Sequence, residues 1–162
     1  MKEPLQLAIL LGRGERADMA IDELWRRAQS AVAEYGIPVH CVAGYAQLPQ
    51  TSETVTHAFV DVVGLVVPPP GRVGNLVTSA ATKPGPLGVV GRLAKYNLTS
   101  RRVARALKAD PQLTDIFCHA DVIVSADPEA DRAVWMLRRR TSARLMHGPF
   151  AMANALSELA KD

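Results

Sequence analysis

Short apolar runs alternate along the chain with longer segments in which apolar side chains recur at helical intervals. Leu5 to Leu11 is a nearly continuous apolar run that ends at a glycine-containing turn, which predicts a buried strand. From Asp18 to Tyr35 the apolar residues follow the spacing of an amphipathic helix, and Gly36 is suited to end it. The same patterns predict further strands at 37–43, 62–67, 121–126 and 143–146, and further helices at 97–109, 112–119, 128–139 and 150–161. Strands alternating with helices predict a single Rossmann-like, doubly wound α/β domain over residues 1–162, whose mainly parallel sheet carries helices on both faces.

Residues 68–91 interrupt this alternation. The segment holds five prolines and five glycines in 24 residues. Loops of that length inside a compact domain are usually functional or disordered. We therefore expect a basic, Pro/Gly-rich loop here, which could carry the charges of Arg72 and Arg92.

The net charge of +3 is unevenly distributed. Between Val62 and Ala109 there are eight basic residues and no acidic ones. Such a block is suited to three uses: a solvated face, a site for a phosphorylated ligand, or contact with an anionic membrane. Tyr96 is its only aromatic residue, so the stacking that single-stranded nucleic acid requires is lacking and we expect no nucleic-acid partner.

Composition narrows the class of protein. The apolar fraction of 48% and the charged fraction of 22% are typical of a globular domain. The apolar run near the start is far too short to span a bilayer, and the first residues lack the basic region of a signal peptide. Cys41 and Cys118 show no CxxC spacing, so we expect two buried free thiols in a reduced, cytoplasmic protein.

The turn Gly12-Arg13-Gly14 follows the first predicted strand and precedes the first helix. In open α/β sheets the amide groups of this turn commonly bind anions. Ala17 stands where a dinucleotide-binding fingerprint has its third glycine, which is a permitted variant. However, the second predicted strand is followed by Gly44 to Gln47, without the carboxylate that would hold a ribose. The turn is thus compatible with a nicotinamide dinucleotide site, a looser phosphate or substrate loop, or a plain tight turn.

Asp127 and His147 follow the last two predicted strands, so both should lie at the carboxyl edge of the sheet beside the first loop. Asp127 also has a simpler role, because an Asp-Pro pair can begin a helix, with Glu129 and Asp131 near its positive end. A D-x-D pair for metal-dependent phosphoryl transfer is absent, and no histidine pattern indicates a metal site, so we expect no metal. His40, inside the second predicted strand, is expected to be a core residue.

The stretch LTSRRVARALKADPQLTDIFCHADVIVSADPEADRAVWMLRRRT combines a basic helix, an apolar strand, an Asp-Pro turn and a helix that ends in arginines. Over about residues 97–141 it resembles the N-terminal, acceptor-side Rossmann-like domain of actinobacterial GT-B glycosyltransferases. The resemblance implies an acceptor-binding domain of bacterial type. It also implies that catalysis would need a second, nucleotide-sugar-binding half, supplied by a partner domain or chain. No catalytic residue can be carried over from it.

The leading hypothesis is a cytoplasmic, glycosyltransferase-like domain, without a cofactor of its own, that binds an acceptor or phosphorylated ligand at the carboxyl edge of its sheet. Its predicted ligand-binding residues are Gly12, Arg13, Gly14, Arg72, Arg92, Asp127 and His147, where arginine suits a diphosphate through bidentate donation. The alternative is a non-catalytic interaction domain that docks to a protein or to the inner face of an anionic membrane through its basic middle segment. A third hypothesis is a small nucleotide-binding regulator.

Overall fold

The computed structural model describes residues 3–47 and 54–162. These two ranges contain five strands, six α-helices and two short 3₁₀ turns at Ala33–Tyr35 and Leu137–Arg139. The strands are β1 (Leu5–Leu11), β2 (Val39–Gln47), β3 (Asp61–Val66), β4 (Val122–Ser125) and β5 (Arg144–His147). The helices are α1 (Ala17–Val32), α2 (Arg72–Ala81), α3 (Pro86–Ala109), α4 (Pro111–Cys118), α5 (Pro128–Met136) and α6 (Gly148–Lys161).

The five strands form one sheet in the order β3-β2-β1-β4-β5, and every neighbouring pair is parallel. The chain builds the sheet outward from β1 to β3, then returns to the other side of β1 for β4 and β5. This confirms the predicted Rossmann-like α/β fold. The reversal lies between β1 and β4, and in folds of this kind a crevice opens there at the carboxyl ends of the strands.

The central strand β1 is buried on both faces, because successive side chains of a strand point in opposite directions. Leu7, Ile9 and Leu11 pack with α1 and α6 on one face of the sheet. Ala8 and Leu10 pack with α3, α4 and α5 on the other face. The continuous apolar run in the sequence is therefore the pattern of a strand covered on both sides.

The prediction of a loop at residues 68–91 is wrong, because α2 and the first turns of α3 occupy most of this segment. The prolines lie where helices accept them: Pro68, Pro69 and Pro70 precede α2, and Pro86 is at the start of α3. Two of the glycines, Gly88 and Gly91, allow α3 to pack closely against the preceding turn and against α2. A Cβ atom at Gly88 would collide with the carbonyl oxygen of Lys83, and one at Gly91 would meet the backbone nitrogen of Ala81 at 2.5 Å.

Other boundaries differ from the predictions by a few residues. The predicted helix 97–109 is the second half of the longer α3, and β2 extends to Gln47. The prediction that His40 is a core residue is wrong: it lies near the start of β2 with an exposed side chain that contacts Gln6 and Asp61. Within the described ranges, no helix has the length and apolar character that crossing a bilayer would require.

Candidate functional site at the carboxyl edge of the sheet

Asp127 occupies the crevice between β1 and β4. Its Oδ2 accepts hydrogen bonds from the backbone nitrogens of Gly12, at 2.8 Å, and Arg13, at 3.0 Å. Its Oδ1 accepts from the nitrogen of Ala130 at 3.0 Å and thereby caps α5, as the Asp-Pro sequence predicts. Two amide groups of the first loop, those of Gly12 and Arg13, are thus bound to a carboxylate of the protein itself. Burial raises the pKa of Asp127, although these backbone hydrogen bonds oppose the shift.

An ion pair between an exposed arginine and a buried glutamate lies beside this carboxylate. Arg13 donates from Nε and Nη2 to Oε1 of Glu129, at 2.8 and 2.6 Å. The Glu129 residue is only 7% exposed, whereas the Arg13 side chain remains largely in solvent. The hydrogen bonds to Glu129 are the main reason that the pKa of Arg13 is raised. The second oxygen of Glu129, Oε2, is buried and has no hydrogen-bond partner among the described residues.

The loop glycines are needed for space. Neither Gly12 nor Gly14 has a positive φ; within the described chain the left-handed residues are Arg16 and three glycines elsewhere. A Cβ at Gly12 would meet the Cβ of Glu129 at 2.5 Å, and one at Gly14 would collide with the carbonyl oxygen of Ala46. The two glycines therefore let the loop approach α5 on one side and the end of β2 on the other.

A cleft of about 1160 Å³ opens beside the loop, where β1, β2 and β3 end. It is bounded by the first loop, by Tyr45 to Gln47 at the end of β2, and by one flank of α3. Its cationic side chains are Arg13, Arg16, Arg92, Lys95 and Arg102. Three acidic residues also line it, namely Glu15, Asp18 and Glu129, of which the last is paired with Arg13. The fold thus gathers cations from two distant segments of sequence into one cleft.

The α3 wall of the cleft is held by two contacts to neighbouring segments. The hydroxyl of Tyr96 donates to the carbonyl oxygen of Pro128 at 2.7 Å, which ties α3 to the start of α5. Arg102 donates to the carbonyl oxygen of Pro68, just beyond β3. Burial lowers the pKa of Arg102 and raises that of Tyr96. Arg16, Arg92 and Lys95 line the cleft and take part in no salt bridge with any described residue.

A second cleft, of about 470 Å³, opens near the ends of β4 and β5 and contains His147. The Nδ1 atom of His147 lies 2.6 Å from Oδ1 of Asp131 and 3.1 Å from Oγ of Ser125. The Ser125 hydroxyl donates to the same Asp131 oxygen at 2.5 Å. In a nucleophilic triad the serine and the carboxylate contact different nitrogens of the imidazole. Here both contact Nδ1 and the Ser125 residue is buried, so the arrangement fixes the imidazole and does not activate the serine.

The predicted ligand-binding residues are distributed over these features. Gly12, Arg13, Gly14 and Arg92 line the larger cleft, and His147 lines the smaller one. Asp127 lies in the crevice between β1 and β4, and Arg72 lies outside both clefts, exposed at the start of α2.

Sequence reasoning missed Arg16, Lys95, Arg102 and Glu129. A signal for two of these is present: positions 92, 95, 99 and 102 have the spacing of one helix face, and all four line the larger cleft. Positions 92 and 95 precede the helix predicted at 97–109, whereas in the structure all four positions belong to the longer α3.

No group of three or more potential metal ligands comes together in the described part of the chain. Comparison of the sequence and structure with protein-family models, curated proteins and solved structures finds no match. Function must therefore be argued from the clefts and surfaces themselves.

Proposed function

We propose that the larger cleft binds a small molecule that carries one or more phosphate groups. The observation that carries this proposal is the convergence of Arg16, Arg92 and Lys95, three cations without a salt bridge among the described residues, at the carboxyl edge of a parallel sheet. Cations left unpaired in a concave site attract anionic ligands and strengthen their binding. Carboxyl-edge clefts are the usual ligand sites of this fold class.

The chemistry of the lining favours a phosphate ester or diphosphate over a simple carboxylate. Arginine donates two parallel hydrogen bonds to phosphate oxygens, and lysine adds a compact charge. The partly exposed side chain of Val55 could cover part of the remainder of the ligand. Because Asp127 already binds the amides of Gly12 and Arg13, the phosphate would lie toward α3 and not on the loop backbone.

The finer version of the proposal is a glycosyltransferase-like acceptor domain, as the resemblance over residues 97–141 implies. The parallel sheet and its carboxyl-edge cleft support this version, although many other activities share that architecture. A nucleotide-sugar-binding partner half would then be required for catalysis. Cys41 and Cys118 are both free, which supports a cytoplasmic location.

The test is calorimetric titration of the full chain with pyrophosphate and with a panel of nucleotide sugars. We expect binding that the double variant Arg92→Gln/Lys95→Gln weakens by at least about tenfold, because hydrogen bonds to charged groups contribute about 1.5–3 kcal/mol each. The matched control is Arg101→Gln/Arg105→Gln, which removes the same charge from exposed positions outside the cleft on the same helix.

Equal losses of affinity in the two double variants would show that the ligand is attracted by net charge alone. The proposal that it binds in the larger cleft would then be wrong. Absence of binding by every phosphate compound in the panel would likewise overturn the proposal. Binding by pyrophosphate without any preference for a nucleotide sugar would retain phosphate recognition and remove the support for the transferase version.

A further inference from the structure

The helices α2 and α3 expose an unusual amount of apolar surface. Not one residue of α2 is buried. Six large apolar side chains of the two helices are between 48% and 72% exposed, namely Val73, Leu76, Leu87, Val89, Val90 and Leu93. Single exposed apolar residues are ordinary, but a contiguous group of them marks an interaction surface.

One side of α3 is exposed along its length and changes character halfway. Positions 87, 90, 94, 97, 101, 105 and 108 are three or four residues apart, so they share this side of the helix. Leu87 and Val90 make its first half apolar, and Arg101, Arg105 and Lys108 make its second half cationic. All five of these side chains are exposed. We call this side, together with the exposed side chains of α2, the docking face.

The segment that carries the docking face contains charges of one sign. No acidic residue occurs between Val62 and Ala109, and Arg72 and Lys83 add exposed cations at the start of α2 and in the turn before α3. A second copy of the chain would present the same face, which has no acidic residue to pair with these cations, and this disfavours self-association through it. A binding partner of this face must instead combine negative charge with an apolar region into which side chains can insert.

We propose that the docking face binds the surface of an anionic membrane. Leu76, Leu87 and Val90 would enter the boundary between headgroups and acyl chains, while Arg101 and Arg105 contact lipid phosphates. Amphipathic helices with cations beside apolar residues bind membranes in this way, without spanning them. Arg92 and Lys95 face the larger cleft and not this side of α3, so membrane binding would leave the cleft accessible. The two proposals can accordingly fail independently.

The experiment is co-sedimentation of the full chain with vesicles of phosphatidylcholine alone and of equimolar phosphatidylcholine and phosphatidylglycerol. We expect sedimentation with the anionic vesicles only, and its loss at high salt, because surface charges are then screened. Arg101→Glu/Arg105→Glu should weaken it by at least about 20-fold, since each basic residue near such a surface contributes about fivefold. Leu87→Ser/Val90→Ser should weaken it by about tenfold or more.

Matched controls lie on the opposite face of the sheet, on α1 and α6. Arg26→Glu/Lys161→Glu makes the same change in net charge, and Met19→Ser/Phe150→Ser removes exposed apolar side chains. Both should sediment nearly as the unaltered protein does, and circular dichroism verifies that every variant folds. Failure to bind anionic vesicles, or equal losses in variants and controls, would overturn the proposal. So would a dimer in the absence of lipid that Leu87→Ser/Val90→Ser dissociates, because the face would then belong to a second copy.

Discussion

Asp127 and Asp110 offer a matched pair of alanine substitutions that isolates the link between the first loop and α5. Each aspartate is the N-terminal cap of a helix and precedes a proline. Asp110 accepts from the nitrogen of Leu113 at 2.9 Å, and Asp127 accepts from that of Ala130 at 3.0 Å. Only Asp127 also accepts from Gly12 and Arg13, which are more than a hundred residues away in sequence. The difference between the two variants in their free energies of unfolding therefore measures the contribution of the hydrogen bonds from Gly12 and Arg13 to Asp127.

The expected magnitudes follow from these contacts. Losing a capping carboxylate costs about 1 kcal/mol, which is the whole effect expected for Asp110→Ala. Asp127→Ala additionally leaves the partly buried amide of Gly12 unpaired, at about 1–2 kcal/mol, whereas the exposed amide of Arg13 can bond to water. We therefore expect Asp127→Ala to lower the free energy of unfolding by about 2–3 kcal/mol in total. For a chain of this length the excess over Asp110→Ala corresponds to a further decrease in Tm of roughly 3–6 °C.

Urea unfolding followed by circular dichroism measures both free energies, and hydrogen exchange reports on the amides concerned. Asp127→Ala should increase exchange at Gly12 and Arg13, and Asp110→Ala should leave both amides unchanged. Free energies of unfolding that agree within about 0.5 kcal/mol, with no change in exchange at Gly12, would refute the reasoning, because the long-range hydrogen bonds would then contribute nothing measurable.

Two further predictions concern the first loop and the core. Gly14→Ala should destabilise the protein by about 2 kcal/mol, because its Cβ would collide with the carbonyl oxygen of Ala46, whereas Gly71→Ala, with open space around it, should change the free energy of urea unfolding by less than about 0.5 kcal/mol. Burial raises the pKa of the Cys41 thiol from 9.0 to about 12, so above the lower value the unfolded chain releases a proton that the folded protein retains. The free energy of unfolding should therefore fall with rising pH across this interval, by up to about 1.4 kcal/mol per pH unit, and urea unfolding of Cys41→Ala should lack this component of the slope.

The order of strands and helices could be predicted because each buried strand leaves a local signature. The run from Leu5 to Leu11 is apolar on both faces, and the Asp-Pro pairs at 110 and 127 mark helix starts through local chemistry alone. Residues 68–91 could not be assigned in this way. Gly88 and Gly91 permit α3 to pack closely against the preceding turn and α2, and glycines used for packing cannot be told from loop glycines by composition. Whether such a glycine belongs to a helix or to a loop depends on which segment packs against it. The local sequence pattern carries no information about that segment.

The candidate site was predictable only in part, for a related reason. Arg13 and Arg92 were expected at the carboxyl edge, and both line the larger cleft. The bond from Asp127 to the first loop depends on β4 pairing with β1, a long-range choice that no local pattern specifies. Lys95 and Arg102 line the cleft because both belong to one continuous helix, α3, whose first half the local pattern does not predict.

The position of Asp127 changes where a ligand should be sought in this fold. In related architectures an anion occupies the crevice at the strand reversal and binds the amides of the first loop. Here Asp127 accepts hydrogen bonds from the amides of Gly12 and Arg13, and the buried Glu129 forms an ion pair with the Arg13 side chain. A second anion would be repelled from that position, so Arg92 and Lys95 on α3, which form no salt bridge with a described residue, become the more favourable site. Helix α3 would then present two flanks with separate tasks, one holding a soluble phosphate in the cleft and the other contacting lipid phosphates. The Arg92/Lys95 and Arg101/Arg105 double variants separate these tasks, because each should impair one kind of binding and leave the other nearly unchanged.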